Sequence, residues 1–153
     1  MIRRVAILAL AAQLLLGPGS PAAAGNGARS GTVPVSIAVA PVAIALGLSP
    51  SGAPTGVPVH ARATVTNLGS LTLVTIELTL RTPSGVTIVG AATQELRNLR
   101  AGRSTSTTWK LCQSTAGNRV LMVDALAIDT AGRSWATVSN AVVLVVTPGT
   151  KAC

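Results

Sequence analysis

Few side chains in this chain could carry chemistry. It has one histidine, His60, four carboxylates, Glu77, Glu95, Asp124 and Asp129, and two cysteines, Cys112 and Cys153. A hydrolytic site needs a nucleophile, a base and an orienting group within hydrogen-bond reach. His60 falls on the polar side of an alternating run and reads as an exposed surface residue. Neither a G-x-S-x-G elbow nor an S-x-x-K pair occurs.

Acid–base catalysis would need two carboxylates in register. Asp124 and Asp129 are five residues apart and therefore on opposite faces of a regular strand. Glu77 alternates outward in mid-strand, and Glu95 precedes a short apolar run. Asp129-Thr130-Ala131-Gly132 reads as a hairpin turn, since a calcium loop needs more oxygen ligands. Two cysteines with one distant histidine do not make a zinc spacing, and no phosphate-binding glycine loop is present. The residues therefore predict a protein without catalytic apparatus, metal or cofactor.

Two other patterns stand out. Arg97, Arg100 and Arg103 lie three apart in loop-rich sequence, with Arg119 as a further candidate, and could form a polyanion contact or a merely solvated basic rim. The last strands are apolar on both faces. Val120, Met122, Leu126 and Ile128 alternate with Leu121, Val123, Ala125 and Ala127, while Val142, Leu144 and Val146 alternate with Val143 and Val145. A two-sheet sandwich buries one face of each strand, so the second face needs another cover. The candidate interface is Val120, Met122, Leu126, Ile128, Val142, Leu144 and Val146.

The elements that must position these residues begin with the N-terminus. Arg3 and Arg4 precede a 12-residue apolar run over 5–16, then Gly17, Pro18, Gly19 and Pro21, then Ala22-Ala23-Ala24. Basic, apolar and small-residue regions in that order predict a secretory signal peptide over 1–24, too short in its apolar part to span a bilayer. Residues 25–32 lack apolar content and read as a flexible leader, followed by one domain over 33–147 and a tail over 148–153. The expected location is secreted, cell-surface or periplasmic, and not transmembrane. Without the signal the charge is about +6, which favours acidic partners. Nucleic acid is disfavoured, because Tyr and Phe are absent and only Trp109 and Trp135 could stack.

Val and Thr contribute 18 residues each, and short alternating runs are punctuated by Gly, Pro, Ser and Asn. Strands are predicted over 57–66, 74–81, 86–89, 96–99, 105–111, 119–129 and 139–147. In the first of these Val57, Val59, Ala61, Ala63 and Val65 face inward; in the second Val74, Ile76, Leu78 and Leu80 do. Upstream, 33–48 is strand-like but changes parity at Pro41, as a first strand split between two sheets would. These features predict an all-β, immunoglobulin-like antiparallel sandwich of about seven strands.

Val65-Thr66-Asn67-Leu68-Gly69-Ser70, Pro83-Ser84-Gly85-Val86, Leu99-Arg100-Ala101-Gly102-Arg103-Ser104 and Asn140-Ala141-Val142 together form a recognisable series of turns. It resembles that of bacterial immunoglobulin-like surface modules, the cell-adhesion-related (CARDB-like) group and its relatives. The resemblance runs over about 57–146 and implies a seven-stranded sandwich used in adhesion or as a spacer.

Strand order also bears on the cysteines. Cys112 closes one strand at one pole of the sandwich, and the tail after Thr147 returns to that pole with reach enough to bridge Cys112 to Cys153. A loop of about 42 residues closed in this way contributes roughly 4 kcal/mol. Free thiols, or a Cys153 bridge to another molecule, are the alternatives. The functional expectation is an exported, non-catalytic binding or structural module whose partner is a protein or an acidic wall polymer, or a second copy of the chain. The alternative is an accessory subunit docked on another exported protein through the apolar face of the last two strands.

Overall fold

A computed structural model describes residues 40–153. The predicted signal peptide, the leader and the first half of the proline-broken strand lie outside the described residues. Ten strands follow in order: β1 Val42–Ser49, β2 Gly52–Pro54, β3 Val59–Asn67, β4 Leu73–Arg81, β5 Val86–Val89, β6 Thr93–Leu99, β7 Ser104–Gln113, β8 Gly117–Asp129, β9 Ser134–Val138 and β10 Val142–Thr147. One sheet has the order β1-β3-β7-β5 and the other β2-β10-β8-β4-β6, with β9 also paired to β8. The architecture is the immunoglobulin-like sandwich that the alternation predicts. One pairing, β10 with β2, is parallel.

Alternation places the core between the sheets. Val59, Ala61, Ala63, Val65, Trp109 and Leu111 of the first sheet meet Ile76, Leu78, Leu121, Val123, Ala127 and Leu144 of the second, all buried. Trp109 fills the centre, and its indole N–H donates to the Ala92 carbonyl at 3.0 Å, so its one polar atom is satisfied. On β4 the expected inward Val74 is exposed, and Leu73 is buried in its place. The register with β8 shifts between Leu73 and Thr75, and such a bulge resets which side chain points inward.

The sheet switch lies later than the parity change suggests. β1 is wholly in the first sheet, and the chain crosses to the second between Ser49 and Gly52, where β2 joins β10. β9 and β10 are two pieces of one edge of β8, pairing its residues 124–128 and 117–121 respectively. Ser139 fills the break: its backbone N–H donates to the Val123 carbonyl, and its hydroxyl accepts from the Val123 N–H, both at 2.9 Å. Asn140 then reaches the opposite sheet, accepting from Leu46 N–H at 2.8 Å and donating to Leu46 C=O at 3.1 Å. The free edge of β1 is thereby tied to the second sheet.

Asn67, which opens the predicted turn, is also the last, fully buried residue of β3. Its amide donates to the carbonyls of Leu71 at 2.8 Å and Leu99 at 2.9 Å, and its oxygen accepts from Gly69 N–H at 2.9 Å. At the other pole Cys112 and Cys153 are disulfide-bonded, with Cα atoms 5.6 Å apart. The tail leading to Cys153 lies over β2, where Thr55 N–H donates to Thr147 C=O and Thr55 Oγ1 to Gly149 C=O.

Candidate docking face

The outward face of the second sheet is built row by row from the register. Val143 of β10 stands opposite Val120 of β8, and Val145 opposite Asn118. Val138, Ala136 and Ser134 of β9 stand opposite Asp124, Leu126 and Ile128 of β8. On the far side of β8, Thr75, Glu77, Thr79 and Arg81 of β4 face Ile128, Leu126, Asp124 and Met122. Arg97, Glu95 and Thr93 of β6 continue three of these rows.

An apolar stripe results along β8, β9 and β10. Val120 is 53% exposed, Val138 53%, Val143 49%, Val145 47%, Leu126 42% and Ile128 39%, and Met122 lies half-buried among them. A polar column from β4 and β6 borders it. Between them lies a depression of about 460 Å³ lined by Glu77, Thr79, Arg81, Asp124, Leu126, Ala136 and Val138. Arg81 pairs with Asp124 across its floor. Arg97 pairs with Glu95 at 2.5 Å, and that hydrogen bond together with the carboxylate's charge raises the guanidinium above its ordinary pKa. Glu77 is the carboxylate without an ion-pair partner among the described residues.

Several predicted site residues are placed differently. Val120, Leu126 and Ile128 point outward, whereas Leu144 and Val146 are core residues and Val142 is half-buried against the core. The outward valines of the last strand are Val143 and Val145, because the inward parity is even on β10 and odd on β8. Val138 lies on β9, a strand that falls between those predicted over 119–129 and 139–147 and is absent from the prediction. The arginines do not form one set. Arg100 and Arg103 sit in the β6–β7 turn, Arg97 on β6, and Arg119 at the other end of β7, near the start of β8. The 10-residue β7 separates these ends by roughly 30 Å. Arg119 instead binds its own loop, donating to Thr115 Oγ1 and Ala116 C=O.

Glu77 and Glu95 are direct partners across β4 and β6, a carboxylate pair that strand spacing alone did not announce. Arg97 offsets the repulsion between them. Both stand on an open sheet face between threonine hydroxyls, and the one histidine, His60, is on the outward face of the other sheet. Among the described residues no three His, Cys, Asp or Glu side chains cluster to hold a metal. No helix there is long and apolar enough to cross a membrane. What the face can do is cover apolar surface and meet a cation at Glu77.

Residues 53–120, less than half of the chain, match the family described as the NPCBM-associated, NEW3 domain of alpha-galactosidase. The match supports the coarser part of the resemblance, a bacterial immunoglobulin-like surface module, and does not single out the CARDB-like group. No curated protein matches the sequence. Among solved structures, the chain is similar to a non-cellulosomal cohesin from the hyperthermophilic archaeon Archaeoglobus fulgidus, with 14% identity over 71% of this chain and 92% of that one and a TM-score of 0.49. It is also similar to a FixG-related protein from Vibrio parahaemolyticus, with 11% identity over 71% and 99% of the two chains and a TM-score of 0.41. A third similar structure is the ASH/PapD-like domain of human CEP192, with 8% identity over 82% and 100% and a TM-score of 0.45.

Proposed function

We propose that this domain is a non-catalytic docking module of an exported protein, held to a partner protein by the outward face of the second sheet. The observation that carries this is the stripe of six apolar side chains, each about half exposed, on the central strand and the edge beside it. Covering each recovers about 1 kcal/mol, hence about 6 kcal/mol for the stripe. Association costs on the order of 4–15 kcal/mol, so the stripe needs polar help. Glu77 supplies it, and the partner is an apolar surface that presents a lysine or arginine to that carboxylate. The Cys112–Cys153 bridge supports an oxidising compartment. The NEW3-domain match supports a companion module, as that domain is described as part of an alpha-galactosidase.

The test is crosslinking of the chain to its neighbours in the exporting cell, with contacts mapped by mass spectrometry. Crosslinks should fall on β8, β9 and β10. V120K/V143K should unfold at the same temperature as the parent and lose the crosslinked partner. Crosslinks confined to the first sheet, or retained in full by V120K/V143K, overturn the proposal.

A further inference from the structure

The pole opposite the disulfide carries a second recognition feature, independent of the sheet face. Its scaffold is the last row of the second sheet. Leu73 of β4 pairs with Leu99 of β6 on one side and with Asp129 of β8 on the other, and Asp129 N–H in turn donates to Arg133 C=O at 3.0 Å. Four adjacent columns thus end together and span roughly 14 Å at ordinary strand spacing. Arg100 follows Leu99 immediately. The β6–β7 turn that holds Arg100 and Arg103 is fixed to the same pole, because Asn67 N–H donates to Arg103 C=O, Gly102 N–H to Asn67 C=O, and the Asn67 amide to Leu99 C=O.

Arg133 is held ready. Its Nε donates to Asp129 Oδ2 at 2.8 Å, and its guanidinium lies 5.6 Å from the centre of the Trp135 ring. Asp129 is buried and spends its other oxygen on the N–H groups of Ala131 and Arg133. Burial pushes its carboxyl pKa up, but the bonds from Arg133, Ala131 and Trp135 outweigh that and hold it below the usual range. The two terminal NH2 groups of Arg133 have no partner among the described residues, and its side chain is 58% exposed. Beside it lies a hollow of about 190 Å³ lined by Pro41, Ser70, Leu71, Asp129, Arg133 and Trp135, among others. That volume is below the range of drug-sized sites and suits a single ring-sized unit.

We propose that this pole binds an acidic polysaccharide, with Arg133 as the oriented contact to a carboxylate or sulfate of one sugar and Arg100 and Arg103, at the other end of the row, as contacts to charges further along the polymer. A guanidinium fixed through Nε presents its remaining N–H donors as a planar fork, which matches an oxyanion in two bonds. Three basic groups spread along one edge fit a polymer with spaced charges better than a single small anion. Nucleic acid fits less well, because Trp135 is the one aromatic at this pole and Arg133 already lies over it.

The experiment measures binding of the full chain to immobilised polygalacturonate, with dextran and poly(U) as comparisons. Polygalacturonate should bind at low salt and weaken as salt rises, and dextran should not bind. R133A should weaken binding about tenfold, with R133K failing to restore it, and R100A/R103A should weaken it at least as much. K110A, on the outward face of the first sheet, should bind as the parent does. The proposal is overturned if polygalacturonate is not bound, if dextran or poly(U) binds as tightly, or if K110A loses as much as R100A/R103A. R100A/R103A keeps the test decisive should R133A disturb the hairpin. Because V120K/V143K leaves this pole intact, polymer binding and protein docking fail separately.

Discussion

Asn67 offers the sharpest test of how the two sheets are closed at one pole. Its buried amide donates to two carbonyls and accepts one N–H. N67A removes three hydrogen bonds at about 1 kcal/mol each, so a loss of about 3 kcal/mol is expected. N67D is nearly isosteric and keeps the acceptor for Gly69, but it turns a carboxylate oxygen toward two carbonyl oxygens placed 2.8 and 2.9 Å from the replaced nitrogen. At neutral pH it buries an unpaired charge and should cost about 4 kcal/mol, more than the truncation. The introduced carboxyl should have a folded pKa well above its unfolded value of about 3.9. A raised folded pKa contributes stability below the unfolded pKa and loses it as pH rises through the folded one. The gap between N67D and the parent should therefore widen from pH 4 to pH 7, while that of N67A stays flat. Urea unfolding followed by circular dichroism at both pH values measures this. An N67D gap that does not change with pH, or an N67A loss below about 0.5 kcal/mol, would refute the reasoning.

The remaining predictions use the same closures. N140A strips both bonds to Leu46 and should cost about 2 kcal/mol in urea unfolding. Replacing Cys112 and Cys153 together by alanine should cost up to about 4 kcal/mol and let protease trim the tail after Thr147. Asp129 has a depressed folded pKa, so its stabilisation is present above its unfolded pKa and is lost as pH falls through the folded one. D129N should be less stable than the parent at neutral pH, and the difference should shrink in strong acid, as read by thermal unfolding at each pH.

Much of this fold is legible in the residues. Strict alternation in β3 and in the core of β7 and β8 shows which side chains face inward, because a strand with one face in water has a period of two. The misread places are those where the period breaks for reasons that single-strand patterns do not contain. Val74 is displaced by a bulge whose only record is the pairing with β8. β2 is three residues containing both glycine and proline, and it exists because β10 offers it a parallel edge. β9 is short and follows a turn directly, and its pairing with β8 rather than its composition makes it a strand. The site shows the same division. Double-sided apolarity marked two of the three strands that expose apolar side chains, β8 and β10, but choosing the outward parity on β10 required knowing that Leu144 and Val146 are core residues. The arginines at 97, 100 and 103 were visible as a spaced set. Arg133 was hidden, because its orientation comes from a buried carboxylate four residues back.

The two outward faces differ in a way that bears on what the sandwich is for. On the first sheet, β3 and β7 turn His60, Arg62, Thr64, Thr66, Ser104, Ser106, Thr108 and Lys110 outward, and β1 adds Ala43, Ala45, Gly47 and Ser49. The edge strand β5 adds Val89, the one large exposed apolar side chain among the described residues of this sheet. The other side chains, short or charged, lose little by facing water. On the second sheet, β8 is the central strand, paired on one side with β4 and on the other with β9 and β10, yet Val120, Leu126 and Ile128 project from it. Isolated exposed apolar residues are ordinary, but three on a central strand, interrupted only by Asp124 and flanked by Val138, Val143 and Val145 on the neighbouring edge, are not. Stability does not demand that row, since the opposite parity of β8, from Leu121 to Ala127, already fills the core. Threonine on the outward positions would keep the strand propensity and remove the hydration cost. V120T/L126T should therefore fold as stably as the parent within about 0.5 kcal/mol, and lose its partner. A marked loss of stability would instead mean that these side chains support the sandwich itself, and the outward face would no longer need a partner to explain it.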